Sequence, residues 1–235
     1  MAVKEKKQTP AKSQYRDISI KGVIAEYREA SLKKNDYEKA KWSSHQSMLN
    51  RFKLCHLLVD WQRVNTWLDA GCSTGALFEY VDKAGIAVPY RFGVDAVNDL
   101  IKEARSKNLA GHVKFFADDL VSLADDGQRF DLVTSIGTLQ QCGHRPADFI
   151  GALCLRLKAP GQIFLTTKNI GWCEFTSGRL DPDPHHSWFD FNEIEGILGE
   201  NHISIKRSGG FLPQTNKIVA ANESHTMFFW GTKRE

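Results

Sequence analysis

The sequence predicts a doubly wound α/β domain: a mostly parallel sheet of seven strands, its last strand antiparallel, with an N-terminal helical cap. Three observations carry this. From residue 63 onward, short apolar runs alternate with longer amphipathic ones, the rhythm of strand–helix–strand units. The short runs are continuous rather than alternating in polarity, as strands covered on both faces require. The last two runs are separated by Gly209, Gly210 and Pro213, which suits an antiparallel hairpin with a long connection.

Taken in order, residues 1–14 carry Lys4, Lys6, Lys7 and Lys12 with almost no large apolar side chains, and read as a flexible tail. Residues 15–62 form the helical cap. Met48, Leu49, Phe52, Leu54, Cys55, Leu57, Leu58 and Trp61 recur mainly at three- and four-residue intervals. Ser43 or Ser44 supplies the N-cap of that helix. Residues 63–235 form the α/β domain. Its expected strands are Thr66–Ala70, Tyr90–Val94, Val113–Ala117, Leu132–Ile136, Gln162–Thr167, His202–Arg207 and Thr226–Thr232. Its helices are Ala76–Lys83, Val97–Ser106, Pro146–Leu157 and Phe189–Leu198. About residues 168–190 the rhythm breaks into a Gly- and Pro-rich loop, long enough to suggest a substrate-binding role.

Composition narrows the function. The 235 residues are 42% hydrophobic and 25% charged, with a formal charge of +3, too little to imply nucleic acid by itself. No apolar run approaches the roughly 20 residues of a membrane helix. The charged N-terminus lacks the apolar stretch of a secretory signal. Cys55, Cys72, Cys142, Cys154 and Cys173 form no CxxC pair, which excludes a readable zinc ribbon or dithiol motif and fits reduced thiols in the cytoplasm. Asp181, Asp183, His185 and His186 match no known ligand spacing, so no metal is expected.

The chemistry gathers at the strand ends. In Trp67-Leu-Asp-Ala-Gly-Cys-Ser-Thr-Gly75 a strand runs into a bend between two glycines and then a helix. The spacing is G-x-x-x-G rather than the G-x-G-x-x-G of a pyrophosphate cradle, which disfavours a nicotinamide-dependent oxidoreductase. Asp69 just before the bend would repel phosphate and suit an ammonium group. The second strand ends at Asp95, placed to accept ribose hydroxyls. The third ends at Asp118 and Asp119, where a carboxylate beside a backbone N–H can read adenine. Acids at successive strand ends beside a glycine bend describe a site for a ribonucleoside carrying an amino acid.

DAGCSTG, GVDA, ADDL, FDLVTSIGTLQQ and LKAPGQIFLTT, in that order, resemble the successive motifs of class I S-adenosylmethionine-dependent methyltransferases, whose fold is Rossmann-like. The resemblance is strong over residues 64–168 and extends to the final FFWGTK strand. It implies S-adenosylmethionine as cofactor. The methionine part would lie over Gly71, Cys72 and Gly75 with Asp69 near its ammonium. Asp95 and Ala96 would take the ribose. Asp119, with Asp118 as its alternate and the amide of Leu120, would take the adenine. Ile136 and Gln141 would line the methionine side. Ser73 stands where the family often has a third glycine. Trp42 to Phe52 resembles a segment that closes over the cofactor in small-molecule members. There Arg51 would pair with the cofactor carboxylate and Trp42 would shield the sulfonium or a substrate ring.

The expected reaction is methyl transfer to a small-molecule acceptor, most readily to a hydroxyl. A hydroxyl nucleophile needs its proton removed, and histidine suits neutral pH. His186, in a loop resembling the substrate-side loop of ubiquinone-pathway O-methyltransferases, is the first candidate base and His144 the second. Two alternatives stand beside this: an RNA methyltransferase, disfavoured by the modest charge, and a non-catalytic regulatory protein that keeps the nucleoside site. The chain suits a monomer or a homodimer.

Overall fold

The computed structural model describes residues 12–235. The cap comprises α1 (Ile20–Ser31), α2 (Asp36–Lys39) and α3 (His45–Leu58). Ser19 caps α1 by accepting from Gly22 N–H. Ser44, one of the two expected caps, accepts from Ser47 N–H at the start of α3. The α/β domain follows as β1 (Thr66–Ala70), α4 (Ala76–Lys83), β2 (Tyr90–Asp95), α5 (Asn98–Ser106), β3 (His112–Ala117), β4 (Phe130–Ile136), α6 (Pro146–Leu155), β5 (Leu157–Lys168), α7 (Cys173–Thr176), α8 (Phe191–Glu200), β6 (Ile203–Leu212), β7 (Lys217–Val219) and β8 (Thr226–Lys233).

The strands form one sheet in the order β3-β2-β1-β4-β5-β8-β6-β7. β1 to β5 run parallel, and β8 inserts antiparallel between β5 and β6. The sheet has eight strands where seven were expected. The addition is β7, a three-residue edge strand folded back on β6, too short to leave a periodic signal.

Consecutive residues of the central strands face opposite ways, so each strand feeds two cores. Trp67, Leu132, Phe164 and Phe228 pack with Phe78, Ile101 and Phe115, against α3, α4 and α5. Leu68, Val133, Leu165 and Phe229 pack with Phe149, Leu153 and Ile194, against α6 and α8. This double cover explains the continuous apolar runs. No helix among the described residues is long and apolar enough to cross a membrane.

The tail expectation needs correction at its end. Residues 1–11 lie outside the described residues, but Gln14 pairs with Trp188 through two backbone hydrogen bonds of 2.7 Å. Ser13 Oγ accepts from Asp190 N–H at 2.7 Å. These residues are docked on the loop after β5, because its backbone offers an unpaired edge. That loop also contains the single-turn helix α7.

Phe164 lies at the centre of β5 with no exposed surface. Phe164→Ala should cost about 3–5 kcal/mol of stability, read as a lower urea midpoint at unchanged slope.

Candidate active site

At the C-terminal ends of β1, β2, β3 and β4 the loops surround a cleft of about 1000 Å³, measured to its open mouth. Helices α1 to α3 roof it. Among its lining residues are Trp42, Asp69, Gly71, Cys72, Asp95, Ala96, Asp118, Asp119, Leu120, Ile136 and Gln141. Eleven of the thirteen residues expected to hold the cofactor thus meet in one cleft.

Asp95 organises the rim. Its Oδ2 accepts from Ser73 N–H and its Oδ1 from Val97 N–H, each at 2.9 Å. Its backbone carbonyl accepts from Asp118 N–H at 3.0 Å. One residue therefore ties the bend after β1, the start of α5 and the loop after β3. Burial raises its pKa, and the two backbone donors oppose that rise. Each carboxylate oxygen keeps a second lone pair for a hydroxyl.

The bend after β1 is fixed from both sides. Gly71 and Cys72 donate their N–H groups to the Val94 carbonyl at 2.8 and 3.1 Å. Gly71 has φ +78°, and a Cβ there would collide with the Thr138 side chain. Glycine is therefore required on both conformational and steric grounds. Gly75 begins α4 but does not line the cleft. Ser73 takes φ +49°, in the left-handed region, where glycine is the easier residue.

Asp69 is buried, and burial pushes its pKa up to about 7, with Asp95 adding to the rise. Thr134 opposes this by donating its hydroxyl to Asp69 Oδ1 at 2.6 Å, and the Trp67 indole donates to Thr134 in turn at 2.8 Å. The result is an acid held in one orientation at the cleft wall, poised for a cationic group.

The roof brings Trp42 onto the floor. Gly137, at φ +71°, follows β4, and a Cβ there would strike the Trp42 ring. Arg51 lies 4.3 Å from the centroid of that ring. It donates to Ser47 O and Ser47 Oγ at 2.9 and 2.6 Å, yet no carboxylate among the described residues lies within 4.0 Å of it. Burial pushes its pKa down to about 9. A buried cation without an anion is costly unless a ligand supplies one. Ser73 Oγ and Gln141 Oε1, both at the cleft, are buried without partners, which marks the same need.

The two histidines have separate surroundings. His144 Nε2 lies 2.9 Å from both carboxylate oxygens of Asp119. It therefore fixes the Asp119 carboxylate at the cleft rim. His186 is outside the cleft lining, with Nδ1 3.0 Å from Asp183 Oδ2 and its ring edge-on to Trp188. Burial first, then the charge of Lys168, pushes its pKa down to about 4, so the ring is neutral at pH 7.

Sequence reasoning missed several residues here. Tyr27 of α1 lines the cleft, and Thr74 donates to Asp36 of α2 at 2.7 Å, clamping the cap to the bend. Helical periodicity across residues 18–61 gives no signal for which face meets the sheet.

A family model described as "Methyltransferase domain" matches residues 68–161. The chain is 27% identical over 187 residues to the mitochondrial ubiquinone biosynthesis O-methyltransferase of Arabidopsis thaliana. That match covers 72% of this chain and 57% of the relative, so the chain spans little more than half the relative's length. Among solved structures, the N-methyltransferase NodS of Bradyrhizobium japonicum, in complex with S-adenosylhomocysteine, is similar at TM-score 0.64. It is 16% identical and covers 91% of this chain and 99% of its own. Magnesium protoporphyrin IX methyltransferase of Synechocystis, with the same ligand bound, gives TM-score 0.61 at 18% identity, covering 93% and 97%.

Ser73→Gly should stabilise the protein by about 1 kcal/mol by relieving the left-handed backbone. Gly71→Ala should destabilise it by more than that, since both backbone and Thr138 oppose it. Urea unfolding of the two variants checks the pair.

Proposed function

We propose that this chain, a class I S-adenosylmethionine-dependent methyltransferase by fold, motif order and domain match, moves a methyl group to the hydroxyl of a small acceptor. The observation that carries the reading is the convergence of Asp69, Asp95, Asp118 and Asp119 around one cleft; Arg51, which does not itself line the cleft, lies behind Trp42 in the roof helix α3 with no carboxylate within 4.0 Å among the described residues. A ligand bearing an ammonium, a ribose, an adenine and a carboxylate offers a counterpart to each of these charged groups.

Asp69 would face the ammonium and Arg51 the carboxylate. Asp95 would accept the ribose hydroxyls. Asp119, held by His144, would accept from the adenine amino group beside the Leu120 amide, with Asp118 as its alternate. Ile136 and Gln141 would border the methionine arm. When bound, S-adenosylmethionine supplies an electrophilic methyl on a neutral leaving group. The protein's part is then alignment and exclusion of water. Trp42, closed on Gly137, covers the reacting region.

The acceptor side lies beyond the ends of β4 and β5. The ring of His186 is oriented through Nδ1 by Asp183, leaving Nε2 to take a hydroxyl proton, the usual pairing of a base with an orienting acid. The Arabidopsis relative is named as an O-methyltransferase, which agrees with a hydroxyl acceptor. Five free cysteines, four of them buried, favour a reducing cytoplasmic compartment.

The cofactor site has a pH signature. Asp69 has its pKa raised from 3.8 to about 7 in the ligand-free fold, so its favourable contribution to stability is present below 3.8 and lost as pH rises through 7. The ammonium of S-adenosylhomocysteine pairs with ionised Asp69. Titration calorimetry should therefore show affinity for that product rising toward neutral pH, by up to about tenfold per pH unit below 7. Affinity independent of pH across that range would remove Asp69 from the ammonium. His186→Ala should lower turnover at least about tenfold, about 1.4 kcal/mol, with S-adenosylhomocysteine affinity nearly unchanged. Unaltered turnover would remove the proposed base.

A further inference from the structure

We propose that two copies of this chain pair through β3, antiparallel and two-fold about Phe116, so that the sheet runs on from one copy into the other. This stands apart from the methyl-transfer reading.

β3 ends the sheet on one side, and the chain passes from it to β4 without an intervening helix, so its edge is uncovered. In a parallel ladder, alternate residues bond to the neighbouring strand. His112 N–H donates to the Pro89 carbonyl at 2.9 Å and Asp118 N–H to the Asp95 carbonyl at 3.0 Å, so the even positions bond inward to β2. The backbone groups of Val113, Phe115 and Ala117 therefore point outward. Arg105 shows the direction, because its Nη2 donates to the Phe115 carbonyl at 2.7 Å from the open side. A carbonyl has two lone pairs, so that bond leaves one for a partner strand. A groove of about 820 Å³, measured to its open mouth, lies along this edge between α5 and β3.

The sheet face beside the edge is aromatic. Phe116 lies parallel to Phe92 with 6.4 Å between centroids, and His112 parallel to Tyr90 with 5.2 Å. Phe116 and Tyr90 nevertheless keep 42% and 49% of their surface exposed. Aromatic side chains left open together on one face mark an interaction surface.

The charges say what covers it. On that face β3 reads Lys114, Phe116, Asp118. Lys114 and Asp118 are both exposed, and neither joins an ion pair among the described residues. A lysine on an open edge normally guards against pairing. Here an acid stands four positions further on with an aromatic midway, and that order is its own complement when the strand meets a second copy antiparallel. Phe116 then faces Phe116, and Lys114 faces Asp118 on both sides of the axis. Centring the pair on Lys114 would oppose two lysines, and centring it on Phe115 would set Lys114 against Phe116. The register on Phe116 also places Phe115 opposite Ala117, and both have the outward N–H and C=O groups that ladder bonds require. Asp118 lines the cofactor cleft as well. The pairing would commit it to the interface and leave Asp119, held by His144, to the cleft.

The test is sedimentation equilibrium on the full chain, with amide hydrogen exchange beside it. The unmodified chain should reach twice its monomer mass in the micromolar range. The amides of Phe115 and Ala117 should exchange at least about tenfold more slowly in the dimer than in diluted monomer. Lys114→Asp makes both charged positions acidic, and Asp118→Lys makes both basic. Each variant alone should dimerise at least about a hundredfold more weakly, because like charges then meet twice. Mixed in equal amounts, the two should recover the dimer, since every acid again faces a lysine. A monomer at all concentrations up to millimolar, a dimer indifferent to Lys114→Asp, or a mixture that stays monomeric overturns the proposal. If Asp118→Lys fails to fold, the Lys114→Asp chain and the two amides decide the matter: an undiminished dimer or unchanged exchange refutes the pairing.

Discussion

A single buried carboxylate sets the shape of the site. Asp95 gathers the N–H groups of Ser73 and Val97 on its side chain and that of Asp118 on its backbone. Without it, three loops that leave three different strands would have no common anchor. Burying the acid raises its pKa, and two charge-assisted backbone hydrogen bonds offset part of that cost. A rim assembled in this way is rigid before any ligand arrives, which is what alignment chemistry needs.

Around that anchor the charges are segregated. Acids sit at the ends of β1, β2 and β3, and Arg51 sits in the cap above them. The roof is clamped by polar contacts, including Lys39–Glu103 and the pairing of Lys107 with Asp36 and Glu79. Arg51, by contrast, is held by the carbonyl and hydroxyl of Ser47 and has no carboxylate within 4.0 Å among the described residues.

The sheet and most of the cleft were legible in the sequence because their determinants are local. Apolar runs covered on both faces, a glycine bend and acids at successive strand ends all leave marks within a few residues. Arg51 and Trp42 were legible only through resemblance, since nothing local says that α3 folds over β4. Ser73 illustrates a departure the structure resolves: it adopts the positive φ that a glycine would take, and Asp95 holds it there. The pairing of His144 with Asp119 was not legible, because its distance along the chain from β4 does not reveal that its ring turns back to that acid. Residues 13 and 14 resisted reading for a related reason. Their order comes from a backbone ladder with Trp188, more than 170 positions away, and not from their own composition.

The most direct measurement is a crystal structure of the complex with S-adenosylhomocysteine. The account predicts both ribose hydroxyls within hydrogen-bonding distance of Asp95 and the amino-acid carboxylate against Arg51 beneath the Trp42 ring. A nucleoside bound elsewhere, or bound here with Asp95 left only to its backbone donors, would contradict it.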